Sequence, residues 1–443
     1  MTLWFESALT GEGWRSGVRV VIAGNTIGEI VVDAEPRPDD ERHRVGLAGM
    51  PNLHSHAFQR AMAGLTECAG TSADTFWSWR DAMYRFVAAL DPELLAAIAA
   101  MAYAEMLEAG FTRVGEFHYV HHQPGGVPYD DPAVMAQAIA AAAAETGIGL
   151  TLLPVFYAHA DFGGVPATAQ QRRFVTDLDG YARLLEASRA ALADGGDAIL
   201  GVAPHSLRAV NAAELTKVAA LLPDAPIHIH VAEQTGEVEA CLALTGQRPV
   251  EWLLDHAQVD SRWCLVHATH VSESEVDRMA ASGAVVGLCP ITEANLGDGI
   301  FPAVTYASAG GRFGIGSDSN VLISAAEELR LLEYGQRLTR HGRNLLALGP
   351  GRSTGTSLWD AAGQGGAQAL GACGLGLAAG APADLLALTG EAAPNALDAW
   401  IFAGLGGIDC VWRAGIKRVD GGRHIARDGI EQRYRDALRK ITA

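Results

Sequence analysis

Long apolar runs, paired thiols and excess positive charge are all missing from this chain of 443 residues. No stretch approaches the ~20 uninterrupted apolar residues of a membrane span, so a soluble protein with no membrane partner is expected. The six cysteines stand at 68, 241, 264, 289, 373 and 410, none of them in a C-x-x-C spacing. Buried thiols in a reducing compartment are therefore expected rather than a disulfide framework. The first residues, Met1 to Ser7, offer neither a basic leader nor the apolar segment of a signal peptide, and a cytoplasmic location is expected. Lys and Arg total 33 against 51 Asp and Glu, a net charge of −18. Nucleic acid binds to basic surfaces, so no such partner is expected. A small anionic substrate stays compatible, because two or three arginines can override the global field within a pocket. No Gly-x-Gly-x-x-Gly follows the first apolar strand, which weakens the case for a doubly wound nucleotide-binding sheet.

What is present is ample core material, with 49% hydrophobic and 19% charged residues. Three zones separate. Residues 1–47 read as short strands and turns, residues 48–365 alternate apolar runs with Ala- and Leu-rich helical stretches, and residues 366–443 return to strands. The middle zone yields eight candidate strands: Gly46–Leu53, Thr112–Phe117, Gly149–Phe156, Ile199–Ala203, Pro226–Val231, Trp263–Val266, Ala284–Leu288 and Arg312–Gly316. Eight strands with intervening helices predict an α/β fold, a (β/α)8 barrel, with a small composite β-sandwich built from both chain ends.

Polar residues cluster at the C-terminal ends of these strands, where such a barrel places its active site. Of fifteen histidines, six fall there: His54, His56, His118, His205, His230 and His267. His54 and His56 follow an apolar strand at i and i+2, so both imidazoles face one side. His230 closes another strand, and Asp318 follows the small, apolar Gly314-Ile315-Gly316. Jointly His54, His56, His230 and Asp318 form an N/O set suited to one divalent metal ion, zinc foremost and iron as an alternative. Taken alone, Asp318 reads better as a helix cap. His228 shares the face of His230, which is preferred for its place at the strand end and its spacing to Glu233. Glu233 is the candidate proton acceptor and donor beside the metal. His267 could ligate, polarise substrate or orient water, and Cys289 reads as a buried thiol.

The order H-x-H, H-x-x-E, His, Asp resembles the amidohydrolase superfamily, in particular its mononuclear-metal deaminases, over essentially the whole chain. Longer strings narrow the resemblance: Asn52 to Arg60, Gly115 to Tyr119, Pro204 to Arg208, His230 to Gln234 and Thr292 to Gly299. These are similar to the branch that converts N-formimidoyl-L-glutamate to N-formyl-L-glutamate and ammonia in histidine degradation. The resemblance implies that His267 and Asp318 assist Glu233 in catalysis. It implies that Arg80 and Arg208 bind the substrate carboxylates, with Gln59, Tyr119 and His205 as polar contacts. A loop from Glu67 to Trp79 is expected to bring Arg80 to the pocket. The pattern departs at Asn320, where His is expected. A homodimer is implied as well, with Leu332 to Arg337 as a candidate contributor. The same metal core would serve a ring deaminase or chlorohydrolase acting on a purine, pyrimidine or triazine, although paired arginines disfavour a flat neutral substrate. An inactive barrel acting as a binding protein would be expected to lack a ligand or the acid–base residue, and none is missing.

Overall fold

The computed structural model describes residues 1–68, 76–193, 195–372 and 376–442. Its central part is a ring of eight parallel strands: Met50–Ser55, Phe111–His118, Gly149–Phe156, a fourth in two pieces (Ile199–Leu200 and Ala203–Pro204), Ile227–Val231, Trp263–His267, Val285–Leu288 and Arg312–Ile315. Neighbours pair in sequence order. Single parallel bridges complete the ring, Val202 with Ile227 and Ser55 with Asp318. Six of the eight strands are buried along their whole length, as expected where helices cover a parallel sheet. The fold is the expected (β/α)8 barrel.

Both chain ends contribute to one eight-stranded sheet beside the barrel. The join is antiparallel, Leu385–Leu388 against Glu41–Ala48. Alternation along these strands serves two cores at once. Leu385 and Ala387 pack with Phe5, Val18, Val20 and Trp412 in the core of the terminal sheet. Leu386 and Leu388, with Val45 and Leu47, face the barrel's core instead. Strands from both halves of the sheet share that first core, so the sheet closes over itself as a composite sandwich.

The single strand expected over Gly46–Leu53 is two strands, Glu41–Ala48 in the terminal sheet and Met50–Ser55 in the barrel. Gly49 is the crossing point, and a Cβ there would lie 2.3 Å from the Thr112 side chain. Continuous apolarity hid the break, because the residues on either side of it, Val45 to Leu47 and Met50 to Pro51, are all buried. The segment beyond 366 also carries helices, Ala396–Ala403 and Arg427–Thr442, which its strand-like apolar runs did not announce. The last helix lies on the barrel helix Pro92–Glu108, where Arg427 pairs with Glu105 and Glu108. No helix among the described residues is long and apolar enough to cross a membrane.

Candidate active site

The first barrel strand ends at Ser55, so His54 and His56 stand at its mouth with both rings buried. The Nδ1–H of His56 donates to Phe117 O at 2.9 Å, and that of His230 to His205 O at 3.1 Å. These bonds fix the tautomers and turn the bare Nε2 atoms inward, the arrangement that metal-binding histidines use. His54 Nε2 lies 3.3 Å from His56 Nε2 and 3.0 Å from His230 Nε2. Asp318 Oδ1 lies 3.6 Å and 3.4 Å from the first two. A tetrahedral ion with bonds of ~2.1 Å holds its ligands roughly 3.4 Å apart, so this donor set fits a first-row divalent ion. Burial lowers the His54 pKa to about 3 against the pull of Asp318, and lowers those of His56 and His230 too. All three rings are therefore neutral and available as donors. Asp318 stays ionised, since its histidine neighbours outweigh the effect of burial. His228 is excluded from the group: it lies deeper in its strand and its Nε2 donates to Ala369 O at 2.7 Å.

Glu233 follows the fifth strand and is buried rather than exposed in a loop. Ala232 takes a positive φ of 53°, and Glu237 accepts the backbone N–H groups of Ala232 and Glu233 at 3.0 and 3.2 Å. Such local strain is held by its surroundings and is characteristic of functional sites. Burial raises the Glu233 carboxyl above its usual range, partly offset by His267 and Arg208. His267 also has a positive φ, 68°. Its Nδ1 lies 3.3 Å from Glu293 Oε1 and its Nε2 3.8 Å from Asp318 Oδ2. Burial opposes its protonation, but Glu233, Glu293 and Asp318 raise its pKa to about 10. An imidazolium at this point is a hydrogen-bond donor, not a metal ligand. Cys289 is a buried thiol, pushed up by burial.

A cavity opens above this cluster, with ≈ 640 Å³ of non-atom space when its solvent-open mouth is included. Gln59, Arg80, Tyr119, His205 and Arg208, the five substrate contacts expected from sequence, all line it together with Glu233, His267 and Asp318. Gln59 Nε2 donates to Tyr119 Oη at 3.0 Å. Arg208 holds its charge because Glu237 and Glu233 offset the burial that would lower its pKa, and its Nε has no hydrogen-bond partner among the described residues. Arg80 rides on the helix Phe76–Ala89, its guanidinium 5.7 Å from the Tyr84 ring centroid. Of the loop expected from Glu67 to Trp79, residues 69–75 lie outside the described residues.

Four residues have roles that the sequence did not reveal. Glu293 partners His267 and also accepts the Cys289 N–H at 3.0 Å; it stands in the Thr292–Gly299 string but no spacing rule points to it. Phe174 and Tyr84 form part of the cavity wall, yet their sequence context is that of ordinary core aromatics. Asn320, the departure from the expected pattern, is fully buried. Its Nδ2 reaches Ser55 Oγ, His56 O and Asp318 O, each at 3.1 Å, and its Oδ1 accepts from Ser317 Oγ at 2.6 Å. It stitches the H-x-H strand to the Asp318 loop.

The sequence profile of the amidohydrolase family matches residues 45–417. The chain belongs to this family. Amidohydrolases are metal-dependent, in keeping with the His54, His56 and His230 group. A second profile, described as the N-terminal domain of the formimidoylglutamate deiminase HutF, matches residues 2–44. The formimidoylglutamate deiminase of Pseudomonas aeruginosa is 53% identical over 416 residues, 91% of this chain and 90% of that one. An 8-oxoguanine deaminase of the same organism is 30% identical over 68% of this chain and 67% of its own length. Among solved structures, an amidohydrolase from Brucella melitensis superimposes with a TM-score of 0.98 at 54% identity over the full length of both chains. A zinc-bound adenosine deaminase from Xanthomonas campestris shares the fold, with a TM-score of 0.81 at 23% identity over 100% of this chain and 98% of its own.

Proposed function

We propose that this amidohydrolase converts N-formimidoyl-L-glutamate and water to N-formyl-L-glutamate and ammonia. The observation that carries the reading is a donor-lined cavity with Arg80 and Arg208 on its wall, in a chain 53% identical to a formimidoylglutamate deiminase. A substrate with two carboxylates needs cations, and arginine's planar fork suits bidentate recognition.

His54, His56, His230 and Asp318 are the residues we assign to a divalent ion, with zinc as its identity. When bound, that ion supplies Lewis acidity and makes neighbouring water more acidic. Glu233 accepts the proton of the attacking water as oxygen bonds to the formimidoyl carbon. Its raised pKa suits it to hold that proton and return it. The imidazolium of His267, aligned by Glu293, donates toward the charge that develops on the tetrahedral carbon's substituents. Glu233 then delivers its proton to the terminal nitrogen and carries the remaining hydroxyl proton to the same nitrogen. The bond from carbon to that nitrogen breaks, ammonia leaves, and the formyl C=O forms while the glutamate nitrogen stays attached. Arg208 and Arg80 hold the two carboxylates, and Gln59, Tyr119 and His205 orient the formimidoyl end.

Product analysis tests the reading. Zinc-loaded protein and N-formimidoyl-L-glutamate are expected to give equimolar ammonia and N-formyl-L-glutamate. Formamide and glutamate would instead place the cleavage at the other C–N bond. Turnover of guanine-type substrates without turnover of this one would overturn the assignment in favour of a ring deaminase.

A further inference from the structure

We propose that Arg173 is the positioning residue of the helix that carries Arg80, and thereby sets affinity for a substrate carboxylate it never touches. This rests on Arg80 being a carboxylate contact, as read above.

Arg173 is only 3% exposed, yet no carboxylate lies within ion-pair distance of it among the described residues. Its guanidinium is spent on backbone carbonyls. Nη1 donates to Val87 O and Nη2 to Leu90 O, at 2.8 Å for the latter. Those carbonyls end the helix Phe76–Ala89, where the helix dipole favours a cation. Nε donates to His122 O at 2.8 Å, in the loop that follows the second barrel strand and bears Tyr119. The backbone carbonyl of Arg173 in turn accepts from His121 N and His122 N at 3.0 and 3.1 Å. One side chain therefore pins the end of the helix to the wall of the barrel.

The adjacent residue extends the anchor into the pocket. The Phe174 ring lies 6.1 Å from that of Tyr84, 4.9 Å from Tyr119 and 5.9 Å from Tyr157. Tyr84 belongs to the same helix as Arg80, and all four rings line the cavity. Arg80 and Val87 are two helical turns apart, about 10 Å along the axis, so a shift or tilt at the pinned end carries to the Arg80 guanidinium. Displacements of ~1 Å at a binding group cost up to ~10²-fold in rate or affinity. A lysine at 173 would keep the charge but lose the fork that spans three carbonyls.

The test uses the full-length, metal-loaded chain and the substitutions Arg173→Met and Arg173→Lys. Ammonia release from N-formimidoyl-L-glutamate, metal content and amide hydrogen exchange are measured on each. KM is expected to rise about ten-fold in Arg173→Met and less in Arg173→Lys, with kcat within about three-fold and metal content unchanged. Exchange over 76–89 is expected to quicken about ten-fold while the strands Phe111–His118 and Gly149–Phe156 stay protected. A merely structural role would lower thermal stability and the active fraction and leave KM where it was; that result, or an unchanged exchange rate in the helix, overturns the proposal. Should Arg173→Met fail to fold, Arg173→Lys decides by the same two measurements. Should the parent chain release no ammonia from this substrate, the functional reading falls, and exchange over 76–89 still decides whether Arg173 anchors the helix.

Discussion

Replacing Asn320 is the sharpest test of how this site is held. Asn320→Ala removes two N–H donors and one acceptor that serve Ser55, His56, Asp318 and Ser317 in a fully buried position. At roughly 1 kcal/mol for each of three lost bonds, the expected cost is about 3 kcal/mol. For 443 residues, an unfolding entropy of ~2.1 cal/mol/K per residue turns that into a fall of ~3 °C in the melting temperature. The lost bonds also align His56 and Asp318, so zinc affinity is expected to fall ~10–100-fold, as for other groups that orient metal ligands. Asn320→Asp should cost more than Asn320→Ala, because it removes the donors and places a buried carboxylate against two carbonyl oxygens. Calorimetry on chelated protein and zinc titration against a fluorescent chelator measure both effects. Melting and zinc affinity unchanged in Asn320→Ala, or Asn320→Asp equal to the parent, would refute the idea that this side chain ties the metal ligands together.

Glu233→Gln keeps the shape of the buried side chain but not its basicity, so kcat is expected to fall ~10²–10⁴-fold with KM and metal content retained; steady-state ammonia release measures this, and a loss below ten-fold would reassign the proton carrier. Arg208→Met is expected to raise KM by about 30-fold or more, since charge-assisted bonds to a carboxylate contribute ~2–3 kcal/mol; an unchanged KM would remove Arg208 from the pocket's chemistry. His230→Ala should leave the chain with little bound metal while His228→Ala retains it, as read by elemental analysis; equal loss in both would void the choice between them. His121 is buried with its pKa lowered to about 4 by burial. The unfolded chain therefore takes up a proton below about 6.5 that the folded chain refuses until about 4, and stability falls as pH drops through that window. His121→Gln, titrated with urea between pH 4 and 7, is expected to flatten this fall, and an identical pH profile would discount it.

The identity of the chemistry was legible in the sequence because strand periodicity is local. His54 and His56 share a face by alternation alone, and His230, His267 and Asp318 announce themselves by closing apolar runs. The (β/α)8 barrel followed from counting those runs. Alternation could not choose between His228 and His230, which share a face; depth in the barrel decides it. It could not find the break at Gly49 either, since the residues around it, Val45 to Pro51, are apolar without interruption.

Much of what tunes the site comes from contacts between residues far apart in the chain. Glu293 beside His267, Asn320 between the first and last strands, and Arg173 under the Phe76–Ala89 helix are each ordinary polar residues in sequence. Their roles exist only where closure of the barrel brings them within hydrogen-bond distance. Burial then does what no local pattern records: it keeps three histidines neutral, raises the Glu233 carboxyl and, through neighbouring carboxylates, keeps His267 charged. The sequence by itself determined which groups could bind a metal and move a proton. The tertiary structure decided their charge, their alignment and which cations line the cavity, because those depend on distance and desolvation rather than on spacing along the chain.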